Sequence, residues 1–145
     1  MALSVSDRAW CVVVPHHPRG AGQARAKLAA ELAPIVRPEL LSDALAVAAE
    51  LVGNAVRHAA ALPGGIIRVA WHLRSGPTME VVELRVTDGG AVTEPRVCVP
   101  DVDAIDGRGL SIVDAIADRW GFDRDALGQS VWAEIRRPAE GRAAA

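Results

Sequence analysis

Apolar residues fall into two rhythms along this chain, one of period two and one near three and a half. Residues 10–14 (WCVVV) form a β-branched run stopped by Pro15, which reads as a first strand. Residues 20–32 are rich in Ala, Arg and Leu and predict a first helix ending near Pro34. After Pro38 a long helical run extends from residue 39 to about 60. Its apolar positions Leu41, Leu45, Ala48, Val52, Ala55 and Ala59 step by four and three, predicting one continuous buried face.

Pro63-Gly64-Gly65 marks a turn. Residues 66–73 and 80–87 then read as two strands of a hairpin joined through Ser75-Gly76-Pro77. Residues 89–106 mix Gly, Pro, Asp and Glu with no helical period, and at about eighteen residues exceed most connections, a length typical of functional loops. A further helix is predicted from Gly107 to about residue 118, followed by short strands at 120–122 and 131–135 with a turn near Gly128. The order is strand, two helices, two strands, loop, helix, two strands. Strands in hairpins with helices able to cover one face predict an α+β two-layer sandwich, whereas a doubly wound sheet needs alternating βαβ units.

Composition narrows the function classes. The chain has 145 residues, half of them apolar, enough for one domain with a proper core. A net charge of −2 offers no global basic field for nucleic acid or an anionic membrane. Lys27 is the only lysine, an arginine bias that belongs to composition and not to a site. Cys11 and Cys98 lack CxxC spacing, which argues against a zinc cluster or a disulfide scaffold. Residues 1–10 carry neither a basic start nor an apolar signal core, and no apolar run reaches the roughly 20 residues that span a bilayer. A soluble, cytoplasmic protein is the expectation, with a single domain over residues 1–137 and a frayed tail over 138–145.

Three short stretches carry candidate chemistry. In Glu50-Leu51-Val52-Gly53-Asn54-Ala55-Val56-Arg57-His58, residues Glu50, Asn54 and Arg57 or His58 stack on one polar stripe of the long helix. A carboxylate and an amide oxygen one turn apart can serve a hydroxyl and a hydrated magnesium ion, which prefers hard oxygen ligands and keeps several waters. Taken alone, the stripe also fits a solvated helix face. Gly53 costs about 1 kcal/mol against alanine in mid-helix, so something is expected to approach the backbone there. In Val86-Thr87-Asp88-Gly89-Gly90, the aspartate at the end of a strand is either a simple turn former or an acceptor for the exocyclic amine of adenine. Gly90 would let a base lie close to the main chain. In Asp106-Gly107-Arg108-Gly109-Leu110, two glycines open a helix whose free N–H groups favour an anion, with Arg108 able to add a charged contact. A hinge before an ordinary helix fits the same residues. It is neither a Walker A loop, lacking Gly-Lys-Ser/Thr, nor a dinucleotide fingerprint, having Ile112 where the third glycine belongs.

Other signals read as structural. His16-His17 lacks the further ligands a metal site requires and is expected in a surface turn. Trp10, Trp71, Trp120 and Trp132 are expected to pack in the core or at strand edges. Glu83 and Arg85, two apart on a strand, mark its solvated face.

In order and spacing, Glu-x-x-x-Asn on a long helix, Asp-x-Gly after a strand, a loop, and Gly-x-Gly-Leu opening a helix resemble the GHKL (Bergerat-fold) ATPase superfamily. The phrases ELVGNAVRHA, VTDGG and GRGLSIVDAIADRWG look like its small anti-sigma-factor serine kinases, especially actinobacterial ones, over about residues 10–135. The resemblance implies a mixed, mostly antiparallel sheet with helices on one face, and ATP with Mg2+ as the ligands. It implies that Glu50 is the general base, that Asn54 holds Mg2+, and that Asp88 and Gly90 bind adenine. Gly107, Arg108, Gly109 and Leu110 would close over the phosphates, with residues 91–106 as the ATP lid. Many relatives read Asp-x-Gly-x-Gly, and here the last position is Val92. The implied activity is a protein serine/threonine kinase acting on a STAS-type anti-sigma-factor antagonist, with a sigma factor as second partner and homodimerisation by family analogy. A non-catalytic ATP-binding regulator that sequesters a partner, or an isolated histidine-kinase-type catalytic domain, would carry the same motifs.

Overall fold

A computed structural model of the chain describes residues 6–90, 106–126 and 128–139. The elements follow as β1 (Ser6–Pro15), α1 (Arg19–Leu32), α2 (Pro38–His58), β2 (Ile66–Ser75), β3 (Met79–Asp88), α3 (Asp106–Ile116), β4 (Arg119–Arg124) and β5 (Gln129–Pro138). The predicted elements are all present in the predicted order, most strands extending a few residues beyond their apolar cores. The tail expected to fray from 138 is corrected at its start, where Pro138 pairs with Met79 in β5 and the Ala139 N–H donates to Thr78 O at 3.1 Å. Of the expected lid, Asp106 opens α3, while residues 91–105 and the tail from 140 lie outside the described residues.

The strands form one sheet in the order β1-β2-β3-β5-β4. Every described pairing is antiparallel, so the mixed sheet expected from the resemblance is here an antiparallel one. Alternation does the sorting. Ile67, Val69, Trp71 and Leu73 of β2, Val82, Leu84 and Val86 of β3, and Val131, Ala133 and Ile135 of β5 are buried together with the helices. Trp10 lies opposite Trp71 in register and stacks with it at 6.1 Å, both packed on the core. The intervening residues face away from the helices and carry ion pairs. Arg85 meets Asp123 at 2.8 Å, as the solvated-face reading of that strand predicts. On the same face Glu134, only 8% exposed, lies among Arg74, Arg119 and Arg136.

Helix α2 begins with Pro38 in its first turn, where the fixed φ suits the helix and the missing N–H is no loss. Glu39 near its start and Arg57 and His58 in its last turn match the helix dipole. Its buried face corrects the predicted one in part: Ala48, Val52 and Ala55 are buried as predicted, and Leu41, Leu45 and Ala59 are only half-buried. Leu40, Ala44, Val47, Leu51 and Ala55 form the central row, with Ala48 and Val52 also buried, whereas Leu41 and Leu45 are partly buried shoulders. The apolar stripe of α2 is two rows wide, and spacing alone could not say which row points at the sheet. Arg137 closes the far side of the layer, bonding Asp43 of α2 at 2.8 Å and Asp118 after α3 at 3.3 Å.

Because Leu51 is 1% exposed at the centre of this face, Leu51→Ala is expected to cost about 3 kcal/mol in denaturant unfolding. Leu45→Ala, on the shoulder, should cost less than half of that. Equal losses would put the centre of the face back on the 41–45 row.

Candidate functional site

The polar stripe of α2 is where the helical repeat puts it. Glu50 and Asn54 are half-buried, and Arg57 and His58 are exposed at the helix end. Asn54 Oδ1 accepts a hydrogen bond from Arg57 Nη2 at 3.1 Å. The other end of that amide, Nδ2, is buried without a hydrogen-bond partner among the described residues. An unmet buried donor costs about 1–3 kcal/mol, which makes Asn54 a place where a ligand acceptor would be stabilising. Gly53 also finds its reason: a Cβ there would stand 3.0 Å from Arg57 Nη1. What approaches the helix backbone at Gly53 is the guanidinium that lies back towards Asn54.

At the end of β3, Asp88 is 2% exposed. Its Oδ1 accepts the Gly90 N–H at 2.7 Å, closing a tight turn. Gly90 has φ of +95°, a conformation that glycine adopts without the Cβ penalty. Among the described residues nothing lies within 4 Å of where its side chain would be, which suits a flat ligand against the main chain. This turn is sewn to the residues that follow α2. Gly89 N–H donates to Ala60 O at 2.8 Å, and Ala60 N–H donates to Gly90 O at 2.9 Å. A Cβ on Gly89 would fall 2.3 Å from Ala61 O, so only glycine permits the junction. The Asp88 carboxylate is thereby held at the end of the helix that bears Glu50 and Asn54. From Asn54 to the last helical residue, His58, the helix rises only about 6 Å.

Burial raises the Asp88 pKa above its ordinary 3.8, against the Gly90 N–H and the nearby His16, which both favour the charged form. A buried carboxylate with one oxygen engaged has acceptor capacity left for a ligand amine.

Helix α3 packs against α2 and β4. Leu110 is 5% exposed and Val113 lies in the core, which fixes the helix on its neighbours. Gly107, Arg108 and Gly109 lie within the first turn of α3, which starts at Asp106. The first-turn N–H groups of a helix lack intrahelical partners and favour an anion. The side chains from Asp106 to Gly109 lie outside the described residues, as does the segment between Gly90 and Asp106. Among the described residues no group of three or more His, Cys, Asp and Glu could hold a metal ion, and no helix is long and apolar enough to cross a membrane.

Several participants escaped sequence reasoning. A Cβ on Gly128 would fall 2.1 Å from Asp88 O, so this turn is pressed against the aspartate from the β5 side. Gln129, 2% exposed, stands opposite Asp88 in register, and the Thr87 and Ser130 hydroxyls are 2.7 Å apart beside it. Nothing in the local sequence announces these; they follow from β3 pairing with β5, a contact between distant stretches. His16 corrects the surface-turn expectation. It is half-buried and bonds backbone carbonyls of α2, while His17 is exposed as expected.

A family model described as "Histidine kinase-like ATPase domain" matches residues 14–135, well over half of the chain. No curated protein matches it.

The raised Asp88 pKa gives a signed expectation. A group whose folded pKa exceeds its unfolded value contributes stability that is complete below the unfolded pKa and is lost as pH rises through the folded one. As the pH rises above the ordinary carboxylate range, burial of Asp88 therefore weakens the fold. Asp88→Asn should unfold at higher denaturant than wild type at pH 7, with the difference shrinking as the pH approaches 4. A variant less stable than wild type at pH 7 would contradict burial as the leading cause of the shift.

Proposed function

Because the chain belongs to the histidine kinase-like ATPase domain family, we propose that it is an ATP- and Mg2+-dependent protein serine/threonine kinase of the anti-sigma-factor type. Its substrate in this reading is a serine of a small STAS-type antagonist protein, and its other partner is a sigma factor. The observation that carries the reading is the backbone junction at Ala60, which sets the buried Asp88 carboxylate against the end of the helix bearing Glu50 and Asn54.

The residues fit Mg·ATP. Asn54 has an orphaned buried Nδ2, and its Oδ1 already faces a cation in Arg57, so positive charge suits that position. Asp88 accepts a hydrogen bond from the exocyclic amine of adenine, and guanine, with a carbonyl there, is repelled. Gly90 leaves room for the base beside the main chain. The first-turn N–H groups of α3 at Gly107, Gly109 and Leu110 take phosphate oxygens, and Arg108 adds a charged contact to the terminal one. Asn54 would hold magnesium through its side-chain oxygen. When bound, magnesium neutralises phosphate charge and favours in-line transfer.

Glu50 takes the proton from the serine hydroxyl as its oxygen bonds to the γ-phosphorus and the bond to the ADP oxygen breaks. Positioning and charge neutralisation supply most of the acceleration, as in phosphoryl transfer generally.

The test is the purified chain with labelled ATP and candidate STAS antagonists. Glu50→Ala is expected to keep ATP affinity and to lose roughly 100-fold or more in transfer. Asn54→Ala should remove the magnesium dependence of ATP binding. Transfer at the wild-type rate by Glu50→Ala would overturn the base assignment. Tight ATP binding by the wild type with no transfer to any candidate would identify a non-catalytic regulator that sequesters its partner.

A further inference from the structure

The turn after β1 makes a contact that the nucleotide reading leaves unused. His16 Nε2 lies 2.7 Å from Ala59 O and 3.2 Å from Ala55 O. Both partners are carbonyls and can only accept, so Nε2 carries the proton. Ala55 O also accepts the Ala59 N–H at 3.1 Å, whereas Ala59 O, on the residue that caps α2, accepts the shorter bond from the ring. The His16 backbone N–H is itself fixed on Gly65 O at 2.9 Å, so the ring is presented from a tethered base.

Ala59 O and Ala60 N belong to one planar peptide unit. The ring holds its carbonyl, and its N–H donates to Gly90 O at 2.9 Å. Gly90 N–H in turn donates to Asp88 Oδ1 at 2.7 Å. Three hydrogen bonds, through the Ala59–Ala60 peptide and the backbone of Gly90, therefore connect the ring to the carboxylate. His16 also acts on Asp88 through space, favouring the charged carboxylate.

We propose that His16 is a positioning residue for purine recognition: its Nε2–H fixes the Ala59–Ala60 peptide, and that peptide aligns Gly90 and the Asp88 carboxylate. The proposal rests on the reading of Asp88 as the adenine acceptor. It separates the two ends of the pocket, because the ring reaches the base side and has no contact with Glu50, Asn54 or Arg57 among its hydrogen bonds.

Calorimetric titration of the full chain with ATP and with GTP, both with magnesium, tests it. His16→Leu fills similar space but donates no hydrogen bond. It is expected to weaken ATP roughly tenfold, the scale of one lost hydrogen bond with its carbonyl left unmet. GTP, which gains nothing from Asp88, should bind as weakly as before, so the ATP-to-GTP preference collapses. His16→Gln, whose amide can donate to Ala59 O, should restore most of the preference. A general loosening of the fold would weaken both nucleotides together and would not be rescued by glutamine. Should His16→Leu fail to fold, His16→Asn, with an amide too short to reach Ala59, serves the same comparison. An unchanged preference in the leucine or asparagine variant overturns the proposal. A wild type that binds ATP and GTP alike overturns the purine reading of Asp88 instead.

Discussion

Ala60 exchanges hydrogen bonds with Gly89 and Gly90, and this backbone stitch sets where the end of α2 meets the end of β3. A side chain at 89 would fall 2.3 Å from Ala61 O, so the approach exists only because that position is glycine. Hydrophobic burial presses helices on a sheet without caring much about sliding by an ångström or two. The stitch does care, since hydrogen bonds fail over that distance. It converts a broad apolar contact between α2 and the sheet into a defined one. The stripe of Glu50 and Asn54 inherits its position from it.

Two polar groups at this place act against the fold. Asp88 is a carboxylate taken out of water, with its pKa pushed up by burial. Asn54 Nδ2 is a buried donor with nothing to bond. Other buried or half-buried charges are paired: Glu134 is surrounded by three arginines, and Arg137 is shared by Asp43 and Asp118. Trp71 Nε1 in the core also lacks a partner among the described residues, so what marks this place is a buried carboxylate and an unmet amide near the junction of α2 and β3. A purine amine and a phosphate or water oxygen are the partners whose chemistry would relieve the two groups, and the family to which the chain belongs binds ATP.

Local sequence carried much of this and failed in specific places. Strand and helix order was readable because β-branched runs such as WCVVV and the wide apolar stripe of α2 have different periods. The four-residue spacing of Glu50 and Asn54 ensured a shared helix face whatever the rest of the fold did. The central buried row of α2 was missed because Leu40 and Leu41 offer two equally apolar rows and only the sheet chooses between them. Gly128, Gln129 and Ser130 were missed for a deeper reason. Their relation to Asp88 is a register between β3 and β5, separated by some forty residues, and no local pattern encodes register across such a distance. His16 belongs with them, since its partners Ala55 and Ala59 lie on another element.

The two ends of the pocket are built by different means, and this bears on how each tolerates change. The end at Asp88 is defined by main chain: Gly90 at positive φ, Gly89 in close approach, and the Ala59–Ala60 peptide bonded on both sides. Peptide planes are stiff, so the carboxylate is presented with little freedom. The end at Asn54 is defined by side chains, where an arginine with several rotatable bonds fills the acceptor position beside a glycine that gives it room. A long side chain displaced by another cation regains rotamer entropy, on the order of 2 kcal/mol, and the helix beneath it need not move. Rigid recognition of a flat base and adjustable accommodation of charge, the two tasks of the proposed function, place opposite demands on a protein. In that reading they fall to a glycine-bound junction at one end of a single helix and to a long cationic side chain a turn away.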